Sequence, residues 1–176
     1  MSPGGHRATA LVVGVAGGIV YLQAGAMLEA ALWLGAALLG GRAPDWLEVV
    51  YGRSAGRRSL IPHRTLTHWV LGWGILTYLA WTWIPPGNEQ VVVMGFLATV
   101  WLHLLYDMMT PSGIPLLFPF GQRTSLGIYT TGSVPAESAL IVVTIVAAAL
   151  LILLSPISVG TGAQWDITQQ LMRFTA

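Results

Sequence analysis

The sequence predicts an all-α polytopic membrane bundle of about five spans, including a short N-terminal helical hairpin. Two observations carry that prediction. Of 176 residues, 55% are hydrophobic and 9% are charged, against roughly 25% charged in an ordinary soluble domain. The apolar residues fall into long runs separated by polar stretches that hold most of the arginines, as expected of helices that satisfy their own backbone inside a bilayer. Cysteine is absent, which removes disulfide frameworks, thiolate metal sites and cysteine nucleophiles. The net charge of +1 is too small to point to nucleic acid, and no direct nucleic-acid binding is expected. The length suits a single integral-membrane domain over residues 1 to 176. Oligomeric state leaves no mark in the sequence.

Residues 8 to 41 contain one charge, Glu29. Their length exceeds one crossing, and Gln23-Ala24-Gly25 can supply a turn, so two short helices are expected at about 7 to 22 and 26 to 40. The alternative is one tilted span and an interfacial helix. Residues 41 to 64 form a polar region with most of the arginines. A third span is expected over 65 to 84, with Trp81 and Trp83 near its outer end and Pro85-Pro86 as its stop. A turn through Gly87-Asn88-Glu89 leads to a fourth span at about 90 to 109, ended by Thr110-Pro111. The stretch from 110 to 134 is apolar for a linker, and Leu116-Leu117-Phe118-Pro119-Phe120 is expected against the bilayer or over the helix ends. A fifth span follows Pro135 through 138 to 154. Beyond Pro156, residues 156 to 176 carry Ile167, Leu171 and Phe174 at helical spacing, an expected interfacial tail.

Five crossings place the N-terminus and the loops at 41 to 64 and 110 to 134 on one side, with seven of the eight arginines. The positive-inside rule makes that side cytoplasmic and puts the C-terminus outside. The expected partners there are membrane lipids. The same topology carries His6, Asp45, His63, His68, His103, Asp107 and Glu137 toward the cytoplasmic face. Ionisable groups are costly near hydrocarbon, so such a gathering asks for a functional explanation.

The sharpest pair is His103 and Asp107, one turn apart on one helical face and suited to a shared ion or to a plain hydrogen bond. His68 is the stronger ligand candidate of the two histidines in Pro62-His63-Arg64-Thr65-Leu66-Thr67-His68, and His63 is a candidate for orienting a ligand or moving a proton. Asp45 can complete a metal site or pair with a nearby arginine. His6 becomes relevant because the hairpin returns the chain to its side. Glu137 is either a ligand or a favourable charge at a helix N-terminus. The Arg64 guanidinium fits phosphate oxygens, while contact with anionic headgroups explains most arginines equally well. There is no Walker-type loop or dinucleotide fingerprint, and the glycines at 14, 17 and 18 read as helix-packing positions.

Ala43-Pro44-Asp45, His63-Arg64-Thr65-Leu66-Thr67-His68 and the run Leu102-His103-Leu104-Leu105-Tyr106-Asp107-Met108-Met109-Thr110-Pro111-Ser112-Gly113 together resemble the YdjM-like family. Its members are described as LexA-regulated metal-dependent hydrolases of the inner membrane. The resemblance runs from His6 through the fifth span and implies functional positions at His6, Asp45, His63, His68, His103 and Asp107, with Glu137 a weaker correspondence. It implies a divalent metal, zinc favoured. The chain departs from the family pattern after Asp45, where a second Asp is expected two residues on and Leu47 stands instead. Glu48 follows one residue later, which puts a second metal ion in doubt.

The leading expectation is a metal-dependent hydrolase acting on a phosphoester or lipid-linked substrate. His6, Asp45, His68, His103, Asp107 and Glu137 are the candidate ligands, with His63 and Arg64 as catalytic groups. A noncatalytic protein with a structural His/Asp ion site fits the same residues. Ion or proton transport is the third class, and Glu29 would have to lie midway along a hydrated path to favour it.

Overall fold

The computed structural model describes residues 1–47, 50–51, 58–59 and 64–155. The expected interfacial tail at 156 to 176, and also Glu48 and His63, lie outside the described residues. Six α-helices dominate: α1 Pro3–Gln23, α2 Met27–Gly40, the single turn α3 Ala43–Trp46, α4 Val70–Trp83, α5 Asn88–Met108 and α6 Val134–Leu154. Two short antiparallel ribbons accompany them. In one, β1 (Val50–Tyr51) pairs with β2 (Arg58–Ser59); in the other, β3 (Ile114–Pro115) pairs with β4 (Arg123–Thr124).

Local chemistry sets the helix ends. Ser2 caps α1, its hydroxyl accepting from Gly5 N at 3.2 Å, and Pro3 opens the first turn, where its missing N–H costs nothing. The chain reverses through Ala24 and Gly25, the latter in the left-handed region at φ 75°. The two-helix reading of residues 8 to 41 therefore holds in the fold. Pro135 sits in the first turn of α6, so that helix begins at 134 rather than 138.

The third helix departs most from expectation, starting at 70 instead of 65. Residues Leu66–His68 form a 3₁₀ turn, and Trp69 is extended before α4 begins. The loop after α5 supplies partners there: Leu71 N donates to Leu116 O at 3.0 Å, and Trp69 Nε1 donates to Leu117 O at 2.9 Å. Leu116 and Leu117 thus close over a helix end, while the Phe118 and Phe120 side chains stay exposed. His68 accordingly lies before α4 rather than within a span.

Among the described residues three helices, α1, α5 and α6, are long and apolar enough to cross a membrane, and α2 is a shorter apolar helix. The 14 residues of α2 and of α4 give about 21 Å of helix each, short of the roughly 30 Å hydrocarbon core. The chain is a helical membrane protein, with two of the five expected spans foreshortened.

Packing fixes the directions of the helices. Gly14 faces Leu34 and Ala37, Gly17 meets the Trp33 ring and Gly41 meets Ala10, so α2 runs antiparallel to α1. Gly95 meets Trp33 and Gly40 meets Phe96 and Thr99, so α5 runs parallel to α2. Trp101 Nε1 donates to Thr77 Oγ1 at 2.9 Å, tying α5 to α4 around a core of Ala43, Trp73, Leu97, Val100, Leu104 and Ile114. Ser2 and Gly5 meet Glu137, which sets the starts of α1 and α6 side by side. The starts of α1, α4 and α6 and the ends of α2 and α5 therefore share one end of the bundle.

At the α2–α5 crossing, Thr99 Oγ1 donates to Ala37 O at 2.7 Å. Interhelical hydrogen bonds of this kind contribute on average about 0.6 kcal/mol and at most about 1.7. Thr99→Val is expected to lower unfolding free energy by about 1 kcal/mol. An SDS titration of the detergent-solubilised protein checks this, and an unchanged midpoint would remove the bond from the stabilising contacts.

Candidate metal centre

Four side chains converge at the shared end: Asp45 from α3, His68 from the 3₁₀ turn, and His103 and Asp107 one turn apart on α5. One ligand atom from each lies within 4.8 Å of all the others. His68 Nε2 is 3.6 Å from Asp45 Oδ1 and 3.4 Å from Asp107 Oδ2; His103 Nε2 is 3.7 and 3.6 Å from the same two oxygens. Zinc–ligand bonds of about 2.0–2.2 Å in a tetrahedron put neighbouring donors roughly 3.4 Å apart. The four measured separations approach that spacing.

The tautomer of His103 follows from its surroundings. Its Nδ1 lies 3.0 Å from Gly41 O, and a carbonyl only accepts, so Nδ1 carries the proton. A neutral ring then leaves a lone pair on Nε2, which is buried with no hydrogen-bond partner among the described residues. A fixed Nδ1–H bond with a free Nε2 is the usual setting of a metal-ligating imidazole. His68 Nδ1 is 3.0 Å from Thr67 Oγ1, which likewise turns Nε2 inward.

Asp107 is 1% exposed and divides its two oxygens between different tasks. Oδ1 faces cations and donors: the Met1 amino group at 2.6 Å, Arg64 Nη2 at 3.0 Å and His6 Nε2 at 3.2 Å. Oδ2 faces His68 and His103. Charge-assisted contacts on one oxygen orient the other as a single-atom ligand.

Electrostatics reinforces the pairing outside the helices. Burial pushes the His68 imidazole toward the neutral form, but the Asp107 and Asp45 carboxylates outweigh it and hold its pKa above the ordinary histidine value. Burial pushes Asp45 upward, but its contact with His68 and the other imidazoles around it bring it below its ordinary value overall. Asp45 is also the open side of the cluster, with 36% of its side chain exposed against 2% or less for the other three.

The other sequence-nominated residues surround this group. His6 stacks on His103 with ring centroids 3.6 Å apart and an 11° interplanar angle, and its bond goes to Asp107 Oδ1. Glu137 stands apart from the four and holds the start of α1: Oε1 accepts from Ser2 N at 2.8 Å and Gly132 N at 2.9 Å, and Oε2 accepts from Ser2 Oγ at 2.5 Å. Arg64, with φ at 58°, turns inward and is buried, its Nη1 donating to Thr110 Oγ1 at 2.8 Å. Glu29 is on the first turn of α2, about 16 Å of helix from the cluster end.

Sequence reasoning passed over Arg7 and Arg42. With Pro3, His6, Asp45 and Trp46 they line a cavity of about 190 Å³ on the open side of the cluster. The signal was available, since Arg7 follows His6 directly and Arg42 precedes Asp45 by three residues. Gly41 and Thr110 carried no such signal, because their roles depend on contacts between distant helices.

A model of the family described as YdjM inner membrane protein matches residues 1–165. Over 76 residues the chain is 40% identical to an uncharacterized protein, YvsG, of Bacillus subtilis (strain 168), covering 43% of this chain and 46% of the relative. Over 94 residues it is 32% identical to the inner membrane protein YdjM of Escherichia coli (strain K12) and, to the same degree, to that of Shigella flexneri, covering 50% of this chain and 43% of each relative. The matched regions span less than half the length of these curated relatives. No solved structure matches.

Proposed function

The chain belongs to the YdjM family of inner membrane proteins, and on that premise we propose that it is a metal-dependent hydrolase working at the cytoplasmic face. Asp45, His68, His103 and Asp107 hold one divalent ion, with zinc favoured by the two imidazoles and two carboxylates. The observation that carries the reading is the buried Nε2 of His103, which has no hydrogen-bond partner among the described residues and faces three other donors. A divalent ion bound there supplies acidification of water and polarisation of a phosphoryl or acyl oxygen. Arg64 and His6 are positioning residues: both bind Asp107 Oδ1 and so aim Oδ2 at the centre. Glu137 acts one step further out, by fixing the segment that carries His6.

One observation favours a structural ion instead. Four protein ligands complete a tetrahedral shell, whereas a catalytic ion keeps a position open. Asp45 is the ligand able to yield, being on a one-turn helix and the most exposed of the four.

Purified full-length protein is expected to carry about one divalent ion per chain, a single-site shell, and His103→Ala to lose most of it while remaining folded. Elemental analysis with circular dichroism checks both. Wild-type protein that holds no stoichiometric divalent metal and takes none up on equilibration ends this reading. A hydrolysis panel of phosphoesters and lipid-linked esters then separates catalysis from a structural ion, since only catalysis gives turnover lost with the metal.

A further inference from the structure

The cavity beside Asp45 has a chemistry of its own. Arg7 projects from the early part of α1, Arg42 from the link between α2 and α3, and both side chains are exposed. Among the described residues, no carboxylate lies within ion-pair distance of either guanidinium. Two arginines thus line one cavity of about 190 Å³ with no carboxylate partner among the described residues. Guanidinium donors match the paired oxygens of a phosphate, and two of them around one cavity give an anion a place to sit. Asp45, the exposed member of the proposed metal shell, lines the same cavity.

A second cavity flanks the same turn of helix. It measures about 530 Å³ and is lined by Leu47, Leu66, Thr67, Trp69, Trp73 and Leu76, among others, a size typical of small-molecule sites, roughly 300–1,000 Å³. Trp46 borders the polar cavity and Leu47 the apolar one, so α3 separates them. Thr67, on the apolar wall, is the residue whose hydroxyl meets His68 Nδ1. The cationic cavity thus reaches the centre at Asp45, and the apolar groove runs along α4 past the residue that precedes His68.

We propose that Arg7 and Arg42 form an anion subsite that holds the phosphate group of the substrate beside the metal centre. This rests on the hydrolase reading for its purpose, though not for its binding test. The groove seats an acyl chain if the phosphate is lipid-borne; a free phosphate compound uses the cationic cavity alone.

The test uses the full chain in nanodiscs of zwitterionic phosphatidylcholine. Inorganic phosphate is titrated as one arm and dihexanoyl phosphatidic acid as the other, with and without added zinc. Arg7→Gln/Arg42→Gln is expected to weaken both ligands at least tenfold, with metal content and thermal midpoint unchanged. The single variants, each at an exposed residue, keep the comparison readable if the double variant folds poorly. Given that loss, preference for phosphatidic acid over inorganic phosphate assigns the phosphate to a lipid headgroup, and equal affinity assigns it to a free compound. Undiminished binding in the double variant overturns the subsite, as does wild-type protein that binds neither ligand saturably. Wild-type protein without metal would end the hydrolase reading separately, and the zinc-free titrations would still decide the subsite.

Discussion

Asp107→Ala is expected to empty the metal centre and to destabilise the protein by about 3–5 kcal/mol, the usual consequence of removing one partner from a buried charge cluster. Loss of Oδ2 deletes one of four converging donors. Loss of Oδ1 removes the carboxylate to which both the Met1 amino group and the buried Arg64 guanidinium bond, and breaking a buried charge pair from one side is the larger penalty. His6 loses its contact at the same stroke. Chemical unfolding in detergent and elemental analysis read the two effects separately. A variant that keeps wild-type stability would show that the carboxylate does not organise this end of the bundle, and one that keeps its metal would remove Asp107 from the shell.

Gly40→Ala should damage the fold and the centre together. A Cβ at residue 40 would overlap the Phe96 carbonyl and come within 2.5 Å of Thr99 Oγ1. Phe96 O is backbone and cannot step aside, so α2 has to move away from α5. Forcing an extra carbon into such a contact costs about 1–3 kcal/mol. The next residue, Gly41, supplies the carbonyl that fixes His103 Nδ1–H, and disturbing an outer-shell partner of a ligating histidine typically costs roughly 10–100-fold in metal affinity. A folded variant with reduced stability and weakened zinc binding is the expected result. Unchanged affinity with reduced stability would show that Gly41 O does not govern the His103 ring.

The helices were legible because each apolar run ends on a residue with a mechanical reason to stop it. Gly25 turns the first hairpin, Pro85 follows α4, and Thr110-Pro111 closes α5. The late start of α4 was not legible, since the donors of Trp69 and Leu71 are satisfied by a loop more than 40 residues onward. The four-residue group was readable because histidine and carboxylate at the borders of apolar runs are too costly to be incidental. Finer assignments required tertiary contacts. Arg64 looks like a surface phosphate clamp in sequence, but its left-handed backbone turns it onto Asp107. Glu137 reads in sequence equally as a ligand or as a charge at a helix start, and the bonds from Ser2 and Gly132 to its oxygens need the fold to be seen. Arg7 and Arg42 were hidden by the opposite problem: arginines near helix ends are common, and only the fold directs these two into one cavity.

The clasp between Ser2 and Glu137 has a consequence for biogenesis. The four proposed ligands are all present once α5 has left the ribosome, so a metal could be captured by a chain still under synthesis. His6 and the Met1 amino group, however, belong to a segment whose anchor is on α6, the last described helix to emerge. Until α6 inserts, the Glu137 anchor of that segment is missing, and the Met1 contact to Asp107 Oδ1 lacks its support. Maturation of the centre is thereby coupled to completion of the bundle, and truncation before residue 134 should yield a chain that inserts its earlier helices yet holds metal in a looser, faster-exchanging form.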